Sequence, residues 1–192
     1  MQTMSSRNIG TDLAPALKTT RWFNMDGSLS LDDLHGRVVV LLAFQMLCPG
    51  CVARSIPLAQ KMQQMFENRN LVVIGLHTVF EHHDVMTPNA LEVFLSEYRV
   101  SFPVGVDTPN EHGGTIPQTM EAYQMQGTPT WVLIDVNGRR RGQYFGSHDE
   151  LALGVEIGAL LSEMREPVGK SFESVKTDSE HCDSNGCQIG ES

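Results

Sequence analysis

Two cysteines three positions apart, in Cys48-Pro49-Gly50-Cys51, are the residues of this chain best suited to chemistry. A thiol pair at this spacing supports thiol–disulfide exchange: one thiolate attacks a disulfide and the second resolves the mixed disulfide. The same spacing serves as half of a zinc site, or as two inert thiols. A zinc ribbon expects its second pair about 15–20 residues later, whereas the next cysteine here is Cys182. Exchange is the favoured chemistry, with Cys48 attacking and Cys51 resolving. A further pair lies in His181-Cys182-Asp183-Ser184-Asn185-Gly186-Cys187. Cys182 and Cys187 read as an auxiliary redox pair relaying electrons to or from the first, as incidental thiols, or, with His181, as a weak metal site.

The elements that must position these groups follow from the hydrophobic pattern. Val38 to Phe44 is a continuous, β-branched-rich run, which predicts a strand buried on both faces. Directly after the cysteines, Ile56, Leu58, Ala59, Met62, Met65 and Phe66 recur at helical spacing within 52–68. The pair therefore sits at a strand-to-helix turn, where unpaired amides and the helix dipole stabilise a thiolate on the first cysteine. Pro57 should kink this helix, and Met62 and Met65 should pack in the core.

Further strands are expected over 71–77 and 102–107, with a helix over 89–100 between them. A small helix over 117–126 would end at Gly127. Strand-like runs over 130–135 and 140–145 flank Asn137-Gly138, a strong hairpin signal, and the last helix covers 148–164 with Leu151, Val155, Leu160 and Leu161 as its apolar face. Upstream, Trp22 to Asn24 reads as a short strand ending at Asp26-Gly27. Ser30 caps a turn through Leu34 that Gly36 stops. This order specifies an α/β sandwich with parallel strands first and an antiparallel pair last. Pro129, in Gly127-Thr128-Pro129-Thr130, is a candidate cis-proline at a strand start, or an ordinary edge-strand proline.

Composition narrows the classes. The 192 residues are 41% hydrophobic and 19% charged, which suits one globular domain with some excess. The longest apolar run has far fewer than the roughly 20 residues a membrane span needs. With 14 Lys+Arg against 23 Asp+Glu the net charge is −9. Arg139-Arg140-Arg141 is the lone basic cluster, so electrostatic nucleic-acid binding is not expected. Met1 to Gly10 is polar, without the apolar core of a secretory signal, and a cytoplasmic location is expected. Four cysteines in two close pairs argue for redox chemistry or metal rather than a disulfide scaffold. Residues 1–19 read as a loose lead-in, 20–165 as the folded domain, and 166–192 as an acidic flexible tail.

Several segments together carry a resemblance. They are Trp22-x-Asn24-x-x-Gly27, Leu31 through Leu34-x-Gly36-Arg37-Val38, Cys48-Pro49-Gly50-Cys51, and Gly127-Thr128-Pro129-Thr130 leading into Leu133-Ile134-Asp135-x-x-Gly138. Over about residues 20–164 the chain resembles the thioredoxin-fold redoxins, particularly the TlpA-like and alkyl hydroperoxide reductase/thiol-specific antioxidant (AhpC/TSA)-like branch. The resemblance implies a thioredoxin-like three-layer α/β/α sandwich with a central mixed sheet and an insertion at about 78–118, to which composition adds an N-terminal extension and a flexible C-terminal tail. It implies that Pro129 is cis and packs beside the cysteines, leaving the backbone of Thr128 to pair with a bound substrate. It further implies exchange without metal or organic cofactor. The implied partners are a protein or small-molecule disulfide or thiol, and an upstream thiol reductant.

The departures are specific. Leu47 stands where thioredoxin proper has Trp, and Leu42 replaces a buried carboxylate that serves the second thiol as proton acceptor. Candidate replacements are His77 and Glu81, with His82 and His83 beside them; solvated loop residues are the plainer reading of each. The peroxidase signature Pro-x3-Thr-x2-Cys is not matched, because Leu41 and Gln45 precede Cys48 at those places, and Phe44 and Cys48 precede Cys51. The expected activity is thiol–disulfide oxidoreduction. Its alternatives are a thiol-dependent peroxidase and a non-enzymatic redox-sensing or metal-binding adaptor.

Overall fold

The computed structural model describes residues 12–66, 69–111 and 113–164, together with 182–183 and 186–187. Six strands form one sheet: β1 (Thr19–Phe23), β2 (Val38–Phe44), β3 (Leu71–His77), β4 (Val104–Asp107), β5 (Thr130–Ile134) and β6 (Arg140–Phe145), ordered β1-β4-β3-β2-β5-β6. Strands β2, β3 and β4 run parallel, while β1, β5 and β6 pair antiparallel with their neighbours. Among the described residues the α-helices are α1 (Ile56–Met65), α2 (Pro88–Glu97), α3 (Gln118–Ala122) and α4 (Glu150–Glu163).

All seven residues of β2 are buried, as a central strand covered on both faces requires. Alternation sends Val38, Val40, Leu42 and Phe44 to the face packed with Ile56 and Met62 of α1, Leu91 of α2 and Leu153 of α4. Val39, Leu41 and Ala43 join Met120 of α3, Tyr123 and the partly buried Leu17 and Leu31 on the other. The three layers are those implied by the resemblance. The stretch 78–118 contributes α2 and a sheet member, β4.

Local signals place the ends of the elements. The Ser30 hydroxyl accepts from the Asp33 amide at 3.3 Å, and Asp33 Oδ2 accepts from the Ser30 amide at 2.9 Å. This reciprocal box opens a short 3-10 turn over Asp32–Leu34. Asn24 has φ 60 and donates from Nδ2 to the carbonyls of Val100 (2.8 Å) and Phe102 (3.0 Å), tying the end of β1 to the approach to β4. Asp135 accepts from the amides of Asn137 and Arg139, both at 2.9 Å, and Gly138 supplies the φ of 74 that the β5–β6 turn needs.

Several expectations are corrected. Residues 12–18 are not a loose lead-in. Asp12 and Ala14 bond the backbone of Arg140 and Gly138, the Pro15 carbonyl accepts from the Tyr123 hydroxyl at 2.8 Å, and Lys18 bonds Thr119 and Thr108. These are backbone contacts to remote residues, which leave no hydrophobic period to read. In α4 the buried face is Leu153, Ile157 and Leu160, while Leu151 and Val155 are exposed. The helix is apolar on several sides, so its phase was set by the Asp149 cap and the sheet beneath it. Met62 is buried as expected, but Met65, at the end of α1, is exposed. Gln124 (φ 52), not Gly127, takes the left-handed position after α3. The expected tail, 166–192, lies outside the described residues apart from β7 (Cys182–Asp183) and β8 (Gly186–Cys187).

One buried carboxylate organises the far layer. Asp107, at the end of β4, accepts from the amides of Thr119 (2.8 Å) and Met120 (3.0 Å) at the start of α3. Burial nonetheless raises its pKa above the ordinary carboxylate value. Asp107→Ala strands two buried amides at about 1–3 kcal/mol each. Urea unfolding should show a loss of about 2 kcal/mol or more, and an unchanged midpoint would refute this role.

Candidate active site

The chain leaves β2 at Phe44 and turns through Gln45 to Cys48, where the Cys48 amide donates to the Gln45 carbonyl at 3.2 Å. Helical backbone begins at Pro49, widens into a π turn over Cys51–Ser55 and continues as α1. The irregularity expected at Pro57 takes this form: proline cannot donate to the previous turn and its ring crowds the preceding carbonyls, so the helix widens ahead of it. The first cysteine is thereby held at the N-terminus of a helix.

The two thiols are unequal. Cys48 is half-buried, whereas Cys51 is fully buried. The Cys51 amide donates to Cys48 Sγ at 3.3 Å, and that sulfur lies 3.5 Å from the Thr128 carbonyl oxygen, to which its thiol donates. An amide aimed at Cys48 Sγ stabilises negative charge there. Burial pushes the Cys51 pKa up to about 12. The neighbouring Cys48 sulfur adds to the rise, while hydrogen bonds with the Gln45 backbone and the Thr128 side chain oppose it.

The loop before β5 closes the site from across the sheet. The Thr128–Pro129 peptide is cis, and Pro129 is buried. A Cβ built on Gly50 would stand 3.5 Å from Pro129 Cδ, so the proline lies against the Pro49-Gly50 turn. Thr128 therefore touches both cysteines, through its carbonyl and through its side chain.

The other candidates fall in different places. His77 ends β3 inside the core, its ring tilted against Phe44 at 5.4 Å, and neither ring nitrogen has a hydrogen-bond partner among the described residues. Burial lowers its pKa to about 4. It makes no hydrogen bond to either cysteine among the described residues. His82 and His83 are exposed. Glu81 is also exposed, but its Oε1 accepts from Gln45 Nε2 at 3.4 Å, and Gln45 Oε1 accepts from the Phe80 amide at 3.4 Å. Gln45 is almost wholly buried, and its main chain bonds both cysteines. Gln45 is the residue that motif reading missed. Its sole signal was a polar side chain at the end of a seven-residue apolar strand. Leu42, at the place of the buried carboxylate of thioredoxin proper, is buried in the core. Cys182 and Cys187 lie on β7 and β8. Among the described residues no cluster of three or more His, Cys, Asp or Glu side chains could hold a metal ion, and no helix is long and apolar enough to cross a membrane.

A sheet of this order, with paired thiols at a strand-to-helix turn facing a cis-proline loop, defines a dithiol redoxin of thioredoxin fold, the class of thiol–disulfide oxidoreductases. Residues 11–141 match the AhpC/TSA family, and the chain belongs to it. It is 52% identical to a thiol-disulfide isomerase from Corynebacterium glutamicum, covering 78% of this chain and 97% of that one with a TM-score of 0.74. A structure of a thioredoxin-like superfamily protein is 55% identical, with 78% and 96% covered and a TM-score of 0.75. A candidate thiol:disulfide interchange protein DsbE from Chlorobium tepidum is 28% identical, with 79% and 96% covered and a TM-score of 0.63. Among curated proteins, NHL repeat-containing protein 2 of Gallus gallus is 26% identical over 140 residues. That match takes in 72% of this chain but 18% of the relative's length.

Proposed function

We propose that this chain exchanges disulfides with protein or small-molecule thiols and disulfides, using Cys48 as the attacking thiol and Cys51 as the resolving thiol. The difference in burial carries this reading: a substrate sulfur can reach half-buried Cys48, while Cys51 is enclosed behind it. In the reducing direction, Cys48 thiolate attacks one substrate sulfur, and the other leaves as a thiolate that takes a proton. The mixed disulfide then places its sulfur beside Cys51. Loss of the Cys51 proton lets that sulfur attack Cys48 Sγ, expelling the second substrate thiol and closing Cys48–Cys51. An upstream thiol reductant reopens the pair.

The Thr128–Pro129 loop is the surface against which a substrate chain would lie, since it borders Cys48 directly. Cys51, held protonated by burial, needs a base in the resolving step. Glu81 acts in this scheme as a positioning residue with a charge: it holds Gln45, whose backbone contacts the Cys51 thiol.

The test is reduction of insulin disulfides by dithiothreitol with and without the protein, beside turnover of a hydroperoxide. Insulin reduction should be accelerated, and hydroperoxide consumption without insulin reduction would establish the peroxidase reading instead. Glu81→Gln keeps an acceptor for Gln45 but removes the charge. Resolution should then stay within about threefold of the wild type, because the contact with Gln45 persists, whereas Glu81→Ala, which removes the acceptor, should slow it by up to about 10-fold, the equivalent of one lost hydrogen bond of about 1.4 kcal/mol. Equal rates in all three proteins would remove Glu81 from the scheme.

A further inference from the structure

We propose that Cys182 and Cys187 form a second redox centre, a disulfide across the β7–β8 hairpin that exchanges electrons with Cys48 and Cys51. The proposal rests on the exchange activity proposed above. Its own observation is the register. Strands β7 and β8 pair antiparallel with Cys182 opposite Cys187 and Asp183 opposite Gly186. Two residues, Ser184 and Asn185, join them. Directly opposite residues in antiparallel strands have Cα atoms about 4.5 or 5.5 Å apart, depending on the kind of pair. A disulfide accepts Cα separations of roughly 4.4–6.8 Å. Either kind of pair meets that requirement, so backbone pairing alone brings these cysteines to bonding distance. A slip of one residue would set Cys182 opposite a position without sulfur.

Reach permits the two centres to meet. Seventeen residues lie between Met164, after α4, and Cys182, and the extended chain covers at most about 3.6 Å per residue step, or roughly 65 Å. A body of this size has a radius of gyration near 15 Å and a width of about 40 Å. Tethered groups within such a span meet at a millimolar-scale effective concentration. At the other end, Cys48 is the accessible sulfur of its pair, beside exposed Leu47. The described core of the first site contains no third thiol, so the hairpin is the chain's own two-electron partner for it.

The exchange balances without an outside oxidant. Cys48 thiolate attacks one sulfur of the hairpin disulfide, breaking the S–S bond and releasing the other hairpin cysteine as a thiolate that takes a proton. Cys51 then gives up its proton and attacks Cys48 Sγ, releasing the second hairpin thiol. Cys48 and Cys51 are oxidised, Cys182 and Cys187 are reduced, and two electrons and two protons have moved. The reverse sequence returns them.

The experiment uses the full chain carrying Cys51→Ser, oxidised with diamide and digested without reductant for mass spectrometry. The expected product is a monomeric chain with Cys48 linked to Cys182 or Cys187, formed at a rate independent of protein dilution. In the wild type, partial oxidation of the reduced protein followed by alkylation of the remaining thiols should find a Cys182–Cys187 disulfide. Cys182→Ser with Cys187→Ser should slow oxidation of the Cys48–Cys51 pair by at least ~10-fold, the modest end of tethering effects, while leaving insulin reduction by dithiothreitol intact. The same Cys51→Ser protein is challenged with insulin as a control on the first centre. Insulin captured without any hairpin linkage overturns the second centre alone. Failure to capture insulin overturns the exchange reading itself. A linkage that vanishes on dilution, or Zn²⁺ held by the reduced hairpin in place of a disulfide, also overturns the proposal.

Discussion

Cys51→Ser protein mixed with a disulfide-bonded substrate should accumulate as a covalent complex through Cys48, whereas Cys48→Ser should form no complex and lose turnover by roughly 10³-fold or more. The asymmetry follows from the site. Cys48 Sγ is half-buried and receives an amide from Cys51 at 3.3 Å, a contact made by the backbone and therefore retained in Cys51→Ser. The first attack thus survives the substitution. The second does not, because serine offers no sulfur to displace the substrate. In Cys48→Ser the remaining thiol is still enclosed, and burial, the largest cause of its raised pKa, still holds it protonated. A buried thiol in its neutral form neither meets a substrate disulfide nor attacks it. Non-reducing electrophoresis after acid quenching reads both outcomes. Capture through Cys51 in the Cys48→Ser protein would reverse the assigned roles.

The largest effect on stability should come from His77, and it should depend on pH. Both ring nitrogens are enclosed without partners among the described residues, so the fold accommodates the neutral imidazole and excludes the cation. Burial lowers its pKa from 6.5 to about 4. Between those values the unfolded chain binds a proton that the folded chain does not. Lowering the pH therefore favours unfolding, and the loss begins near pH 6.5 and levels off below about pH 4. The span corresponds to about 3 kcal/mol. His77→Leu removes the group from both states. Urea titrations at pH 7 and pH 4.5 should show the variant losing about 2–3 kcal/mol less than the wild type on acidification. Equal losses in both proteins would show that His77 ionises without penalty. This role differs from proton acceptance at the thiols, to which His77 makes no hydrogen bond.

The β2 run, the Ser30–Asp33 box, the Asn137-Gly138 turn and the placement of Cys48 at a helix start are all specified by neighbours within a few positions. Hydrophobic period, capping groups and turn residues act locally, so their consequences are written locally. The two-face burial of β2 followed in the same way from seven consecutive apolar residues.

Other features depend on residues far apart in the chain. The apolar stripe of α4 had several phases open to it, and packing on the sheet chose Leu153, Ile157 and Leu160. Residues 12–18 are ordered by main-chain bonds to residues on α3 and the β5–β6 hairpin, which no side-chain pattern announces. At the site, Thr128 meets Cys48 across 80 positions, and Glu81 reaches Gln45 across 36. Residue type singled out His77 and Glu81 as proton-acceptor candidates, but only the register of β3 sent one into the core and left the other at the rim. By itself, then, the sequence determined the chemistry, a dithiol at a strand-to-helix turn, because thiol spacing and helix initiation are short-range properties. The tertiary structure alone decided which thiol is reachable, which is enclosed, and which distant groups touch them, because burial and side-chain contact are set by how the sheet brings remote segments together.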